Sequence, residues 1–539
     1  MARLRFLSVI FLQAATLHFS PSLATKSNFI GTQSPINIQT DTMAKQLSDL
    51  PFKRIRVANQ QDIDRLYPVL AAYVQNPDLA STVTELVIDA ASWPDRYRRL
   101  TFHQEDQQAL IPAPGPDEVA AHKQIEAHAR ALGLGSEATT WMLESLSWKF
   151  SGQPSPSTDP WRHSPPTYKG FANVASTLLL SLCPNITLLH AYGLEYAPPP
   201  LADFLLRNNY GLLPAKHLQH LDRVHMQAWN PNDNREYDRL EFLNYFRFFG
   251  RLPALRTYSA DAVVEYQANR EVAVPGSSPS ITKITITNSE VSADMLGTII
   301  RVPRALEELT LTLGGLSFFE GGMAVVNPKT LGKCLLEHKR TLKKLELDVA
   351  CMLSGSNRVE AEEEPYEEED GYVYGKDEYF RLDEQAGNGQ PLRPFDLPNT
   401  RRYGLTIGSL HDFEALEHLA ISVRLMLGPV VRENVMSQRR QGETVIPPFR
   451  LVDALPRTLK SLQLYDYVVG ECPLADEHVK ELKEKMADAF PFLTEVSGLD
   501  EPLIKNSKYD ENSGYDTKNP SELAVLRRVH NRGLDWEFA

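Results

Sequence analysis

The apolar positions of this chain repeat a short phrase, apolar-x-x-apolar-x-apolar. The clearest copies are Ile281-x-x-Ile284-x-Ile286, Leu306-x-x-Leu309-x-Leu311, Leu342-x-x-Leu345-x-Leu347, Leu416-x-x-Leu419-x-Ile421 and Leu459-x-x-Leu462-x-Leu464. Ten segments fit, beginning at Val83, Ile186, Leu221, Leu255, Ile281, Leu306, Leu342, Leu416, Leu459 and Leu493. Most successive starts lie about 25 to 45 residues apart, the spacing of repeat architectures. The step of two that closes the phrase, continued in Leu345-x-Leu347-x-Val349, is the period of a strand. The three-residue step before it reads as a turn into that strand.

Helical patterns lie between the phrases. One runs Asp238 to Phe249. Another runs from about Ser292, a candidate N-cap, through Met295, Ile299 and Ile300. A third starts near Pro328 with Leu331, Leu335 and Leu336. The strongest follows Pro473: Asp476 and Glu477 fall in its first turn, where the helix dipole favours acids, and Val479, Leu482, Met486 and Phe490 form its stripe. The predicted fold is therefore α/β, an irregular leucine-rich-repeat solenoid or horseshoe. Its parallel strands line the concave face and its helices the convex face, each unit burying its core against the next.

Organisation follows from where the pattern stops. Residues 1–42 are a signal-like or non-native leader. Arg3 and Arg5 precede the mostly apolar Phe6 to Phe19, and Ser22-Leu23-Ala24 offers a small-residue cleavage site. The rival reading makes Met43 the working start. Residues 43–89 hold an opening helix and the first repeat strand. Residues 90–165 form an insertion with helices at Glu118 to Gly133 and Glu137 to Lys149, then a loop rich in proline and serine. Residues 166–500 carry the repeats, interrupted at about 355–400 by an acidic insertion. There, Glu360 to Glu384 holds twelve acids interleaved with Tyr366, Tyr372, Tyr374 and Tyr379. Such a block repels itself and reads as a solvated insertion. Residues 501–539 read as a polar tail and C-terminal cap, with a short helix at Glu522 to Asn531.

Charge and composition narrow the function class. With 539 residues the chain is long for one compact core but ordinary for a solenoid, which grows by repeats. A net charge of −13 with no basic stripe argues against nucleic-acid binding. No apolar run is long enough for a membrane span. Cys183, Cys334, Cys351 and Cys472 are far apart and read as inert thiols, not a metal or redox pair. Phosphate-loop, dinucleotide-binding, nucleophile-elbow and His-Glu-x-x-His patterns are absent. His217 and His220 lack the further ligands a metal needs. Gln33-Ser34-Pro35-Ile36-Asn37-Ile38 is similar to a phrase of α-type carbonic anhydrases, but no His-x-His pair accompanies it. Asn185-Ile186-Thr187 is a glycosylation sequon inside a predicted strand phrase. The expectation is a chain with no catalytic residues, no metal and no cofactor.

What remains is a binding surface. Strand alternation places one outward row at His190, His225, Ser259, Thr285, Thr310, Glu346 and Gln463, and the next at Tyr192, Gln227, Asp261, Thr287, Thr312, Asp348 and Tyr465. The expected function is a non-catalytic protein-protein interaction scaffold that recognises a protein partner through these exposed strand positions.

Three stretches resemble the fungal F-box and leucine-rich-repeat proteins. They are Asp62 to Leu86, with Asn76-Pro77-Asp78-Leu79-Ala80 before Val83-Thr84-Glu85-Leu86; Leu182-Cys183-Pro184-Asn185-Ile186; and Leu335 to Asp348. The resemblance covers about residues 51–500. It implies an intracellular protein of cytoplasm or nucleus. Where an F-box is present, it implies a substrate receptor that binds an Skp-type adaptor of a cullin ubiquitin ligase. The F-box should stand just before Pro51-Phe52-Lys53-Arg54-Ile55-Arg56-Val57. The signal-like leader occupies that place, and Leu47-Ser48-Asp49-Leu50-Pro51 is too short to be the module. If the leader is a true signal, the alternative is a secreted repeat protein.

Overall fold

Every one of the ten phrases leads into a strand. In the computed structural model, β1 (Phe52–Val57) precedes them, and the phrases supply β2 (Glu85–Asp89), β3 (Leu188–Tyr192), β4 (Arg223–Gln227), β5 (Thr257–Asp261), β6 (Lys283–Ser289), β7 (Glu308–Leu313), β8 (Lys344–Asp348), β9 (His418–Ser422), β10 (Ser461–Tyr465) and β11 (Glu495–Ser497). A last short strand, β12 (Glu537–Phe538), closes the chain. The structure describes residues 51–94, 115–151, 168–194, 199–227, 239–240, 242–261, 264–265, 271–272, 276–289, 291, 293–313, 328–349, 373–374, 382, 406–428, 449–503 and 534–539. The chain divides into two units, Met1–Met43 and Ala44–Ala539, and all described residues belong to the second. The leader, the F-box position and adaptor binding, most of the acidic insertion, the helix at Glu522 to Asn531 and Cys351 therefore fall outside the described residues.

The strands form one twelve-stranded sheet in strict chain order from β1 to β11, with β12 added beside β1. Pairs from β1 to β11 are parallel, and β12 runs antiparallel to β1. Chain order means that each strand packs on the one just made, and the sheet never reverses direction. An unbroken backbone ladder crosses the residue just ahead of each strand. Thr84 N–H donates to the Lys53 carbonyl at 3.0 Å, Thr187 to Thr84 at 2.9 Å, and the series continues through Asp222, Arg256, Thr282, Glu307, Lys343, Glu417 and Lys460 to Thr494. Polar residues before the phrase add a second tie. The hydroxyls of Thr82, Thr341 and Thr458 donate to the carbonyls of Phe52, Leu306 and Leu416 at 2.9, 2.8 and 2.7 Å. Buried His338 acts likewise, accepting from Leu306 N–H (3.3 Å) and donating to the Ile300 carbonyl (2.8 Å). Burial favours its neutral ring, the form this double role needs.

Helices cover the apolar face of the sheet. They are α1 (Gln60–Gln75), α2 (Pro77–Ser81), α3 (Pro116–Ala131), α4 (Ser136–Ser151), α5 (Tyr168–Leu182), α6 (Pro199–Asn209), α7 (Phe242–Phe249), α8 (Ala293–Arg301), α9 (Pro328–Leu336), α10 (Val423–Leu427), α11 (Leu451–Ala454) and α12 (Pro473–Ala489). The core runs the length of the sheet in one continuous cluster, from Ile55 and Val57 through Leu189, Tyr258, Ile284, Leu309, Leu345 and Leu419 to Leu462. Phe246 of α7 stacks on Tyr258 of β5 with centroids 4.1 Å apart. The helix expected over Asp238 to Phe249 is shorter than its pattern. Arg239–Leu240 pairs instead with Val264–Glu265 in a separate two-stranded sheet. Cys183 and Cys334 are buried cysteines, and burial pushes the Cys183 thiol above its ordinary value. The Cys472 sulfur caps α12 by accepting from Ala475 N–H. Asn185 donates its side-chain N–H to the Ser81 carbonyl at 2.8 Å, so the nitrogen a glycan would take is already engaged. Among the described residues no helix is long and apolar enough to cross a membrane.

The pattern read as a C-terminal cap, Glu522 to Asn531, lies outside the described residues, and residues 534–539 lie on β1, at the edge of the sheet opposite β11. Short-range patterning carries no information about so distant a pairing.

Candidate interaction surface

Opposite the helices, the outward residues of the strands form three rows. The middle row unites the expected residues in register: His190 faces His225, then Ser259, Thr285, Thr310 and Glu346. Ala420 then stands between Glu346 and Gln463. The second expected row is also assembled. Gln227 faces Asp261, Asp261 faces Thr287, and Thr312 faces Asp348, with Tyr192 opposite Asp89 and Tyr465 opposite Ser422. A bulge between β6 and β7 interrupts it at Thr287 and Thr312. A third row, not foreseen, runs through Arg54, Glu85, Leu188, Arg223, Thr257, Lys283, Glu308, Lys344, His418, Ser461 and Glu495. The same alternation, carried one step earlier in each strand, would have found it.

Exposure corrects one expectation. The named positions were taken to be exposed strand positions, yet Tyr192 and Asp348 are each only 5% accessible. His190, His225, Ser259, Thr285, Thr287, Thr310, Thr312, Glu346 and Tyr465 are half-buried, and Gln463 is exposed. Alternation fixes the side a residue faces; the height of its neighbours fixes its depth. The side chains of Gln227 and Asp261 lie outside the described part.

A polar line crosses the first five strands. Arg54 meets Glu85 with nitrogen-oxygen distances of 2.7 and 2.8 Å. His190 Nε2 donates to Oε1 of the same carboxylate at 3.0 Å. The rings of His190 and His225 sit edge-to-face at 5.6 Å, and His225 Nδ1 lies 2.8 Å from Ser259 Oγ. Burial alone would raise the Glu85 pKa; the hydrogen bonds from His190 and Arg54 overcome that and hold it at about 2. Glu85 is therefore a fixed anion that orients His190. The Ser259 hydroxyl also reaches the Val224 carbonyl at 3.4 Å. Among the described residues no group of three or more His, Cys, Asp or Glu could hold a metal ion.

No family model, no curated protein and no solved structure matches this chain.

Toward the other end, the surface opens into a cavity of about 320 Å³ lined by Lys344, Glu346, His418, Ala420, Ser461 and Gln463, with the backbone of Leu345 and Leu419 beneath. Its cause is local. Ala420 is the smallest side chain of the middle row, and its neighbours Glu346 and Gln463 rise on both sides. Tyr465 reaches back over β9 to donate to Glu346 Oε1 at 3.4 Å. Polar side chains therefore ring a floor made of the Ala420 methyl and strand backbone, a recess of the size that accepts one side chain.

Asp89, at the rim of the sheet opposite Tyr192, is a second unusual carboxyl. It is 5% accessible, and burial raises its pKa from 3.8 to about 6 despite the 3.2 Å hydrogen bond it accepts from Ser92 N–H. The folded state thus binds this proton more tightly than the unfolded state. Its contribution is fully present below about pH 4 and is lost as pH rises through about 6. Two pK units correspond to roughly 3 kcal/mol. Asp89→Asn keeps an acceptor for Ser92 and cannot ionise. Its stability relative to wild type is expected to be near zero at about pH 4 and to grow to roughly 3 kcal/mol in its favour by about pH 7. Urea unfolding of both proteins across this range reads the difference, and a flat difference would refute the protonated buried carboxyl.

Proposed function

We propose that this chain is a non-catalytic protein-interaction protein of the leucine-rich-repeat solenoid type, and that it recognises its partner with the polar face of the sheet. The observation that carries the reading is the strict chain order of the parallel strands. Repetition of that kind builds one long continuous face rather than the crevice at a strand-order reversal where open α/β sheets hold small ligands. The apolar-x-x-apolar-x-apolar phrase ahead of β2 to β11 supports the repeat type. The half-buried rows around His225, Thr310 and Glu346, with the cavity over Ala420, supply a recognition surface with one anchoring pocket.

The test fills the pocket. Ala420→Arg points off the sheet and leaves the helix-side core untouched. It is expected to keep the melting temperature while weakening partner capture by tenfold or more, the scale of a lost hot spot, about 2 kcal/mol. Lys480→Ala, on the exposed side of α12, is the control and is expected to capture normally. Quantitative affinity capture from the native cell compares the three proteins. A partner set indifferent to Ala420→Arg rejects this face as the recognition surface.

A further inference from the structure

The edge of the sheet carries a second surface. Residues 534–539 lie along β1 as an added strand: Phe52 is opposite Phe538, Arg54 is opposite Glu537, and Ala539 N–H donates to the Pro51 carbonyl at 2.9 Å. The side chains alternate in chemistry as well as direction. Asp535 pairs with Arg56, and Glu537 pairs with both Lys53 (2.9 Å) and Arg54 (3.1 Å). Trp536 sets its ring edge-on to Phe52 at 5.0 Å and donates Nε1–H to Asp62 at 3.0 Å, and Phe538 stacks on Phe52 at 5.1 Å. The site thus reads two carboxylates through three cations, and two rings through one buried phenylalanine and one carboxylate.

The tail holds this place loosely. Its ladder covers two residue pairs with an irregularity between Phe52 and Arg54, and the side chains of Asp535 and Glu537 are 66% and 40% accessible. Their partners Arg54 and Arg56 are only 16% and 19% accessible, so these half-buried pairs carry the charge selectivity of the site, while the short ladder holds little backbone. The tail is also attached through residues 504–533, a length that reaches at most roughly 100 Å. Ten strand spacings from β11 to β1 need only roughly 50 Å. The tail is therefore an intramolecular ligand of this edge, and a free copy of it must compete with the covalently attached one.

We propose that the β1 edge is a peptide-docking site. Its occupant in a complex is an extended partner segment that alternates carboxylate and aromatic side chains, and the chain's own Asp535-Trp536-Glu537-Phe538 occupies the site in its absence. Recognition is by strand addition, with main-chain hydrogen bonds giving affinity and alternate side chains giving specificity. A bare sheet edge invites aggregation, and the tail covers it until a partner arrives. This edge shares Arg54 with the polar face but binds through the β1 backbone and Phe52, and it does so whether or not that face binds.

The probe is a labelled peptide, Leu-Asp-Trp-Glu-Phe-Ala, titrated by anisotropy into the full-length wild type and the full-length Trp536→Ala/Phe538→Ala variant at low ionic strength. Millimolar effective concentration against a tether-free affinity near 0.1 mM predicts about tenfold tighter binding to the variant than to wild type. Added salt is expected to weaken binding, and a peptide with Lys in place of Glu is expected to lose it. Should the double variant melt early, Glu537→Lys releases the tail by charge reversal and serves in its place. Equal binding to wild type and variant overturns the proposal, as does no binding to a variant that melts like wild type. A dimer that forms as the peptide is released also overturns it, because the occupant is then the tail of a second copy.

Discussion

Replacing Gly332 by alanine is expected to destabilise the protein by about 3 kcal/mol, although alanine is the better helix former by roughly 1 kcal/mol. Gly332 is a buried residue of α9. A Cβ built there would overlap the carbonyl oxygen of Ile407 and stand 2.7 Å from its carbonyl carbon. That carbonyl is not free to retreat. Ile407 N–H is bonded to Leu425 O at 3.0 Å, and Leu410 N–H, three residues on, is bonded to Ala454 O at 2.8 Å. The helix α9 is thus seated directly on the backbone of the segment that leads into β9, and only glycine permits the approach. Urea denaturation should show a lower midpoint at unchanged m-value. A stability equal to or above wild type would mean that α9 and residue 407 are not in contact.

The same close approach marks the limit of what could be read from the chain alone. Gly332 within a helical pattern signals that something comes near, but not what. Strands were legible because the phrase is local: Leu345 and Leu347 declare a strand without reference to any other segment. The register of His190 with His225 and Ser259 was legible for the same reason, since the offset from each phrase to its strand is constant. β1 was less so, because Phe52-Lys53-Arg54-Ile55-Arg56-Val57 alternates but lacks the turn that opens the phrase. The helix α5 is buried from Gly170 to Leu180, and its polar Asn173, Ser176 and Thr177 lie in the interior, so polarity along this segment does not mark an outward face. The pocket over Ala420 depends on the heights of Glu346, Gln463 and Tyr465, which belong to other strands. Depth and long-range pairing are properties of the assembled sheet, so Tyr192, Asp348 and the C-terminal strand could not be placed in advance.

Removing the carboxylate of Asp62 is expected to cost about 3 kcal/mol, the second large effect. Asp62 is 1% accessible and accepts five hydrogen bonds. Arg56 donates twice, at 2.8 and 3.3 Å; Ala58 and Asn59 N–H donate at 3.3 Å; Trp536 donates at 3.0 Å. It is also the third residue of α1 and closes a capping box with Asn59. Asp62→Ala would strand a half-buried guanidinium and open the first turn of α1 together. Asp62→Asn fills the same volume and accepts at one oxygen, so about half the loss is expected. The network also joins the two ends of the described chain, because Trp536 arrives from the C-terminal strand. A double-mutant cycle of Asp62→Asn with Trp536→Phe should return a coupling of about 1 kcal/mol, since both changes break one shared bond and otherwise act apart. Additive losses would mean that Trp536 is held by Phe52 alone. In that case the tail is anchored by ring packing, and the carboxylate serves only Arg56 and the start of α1.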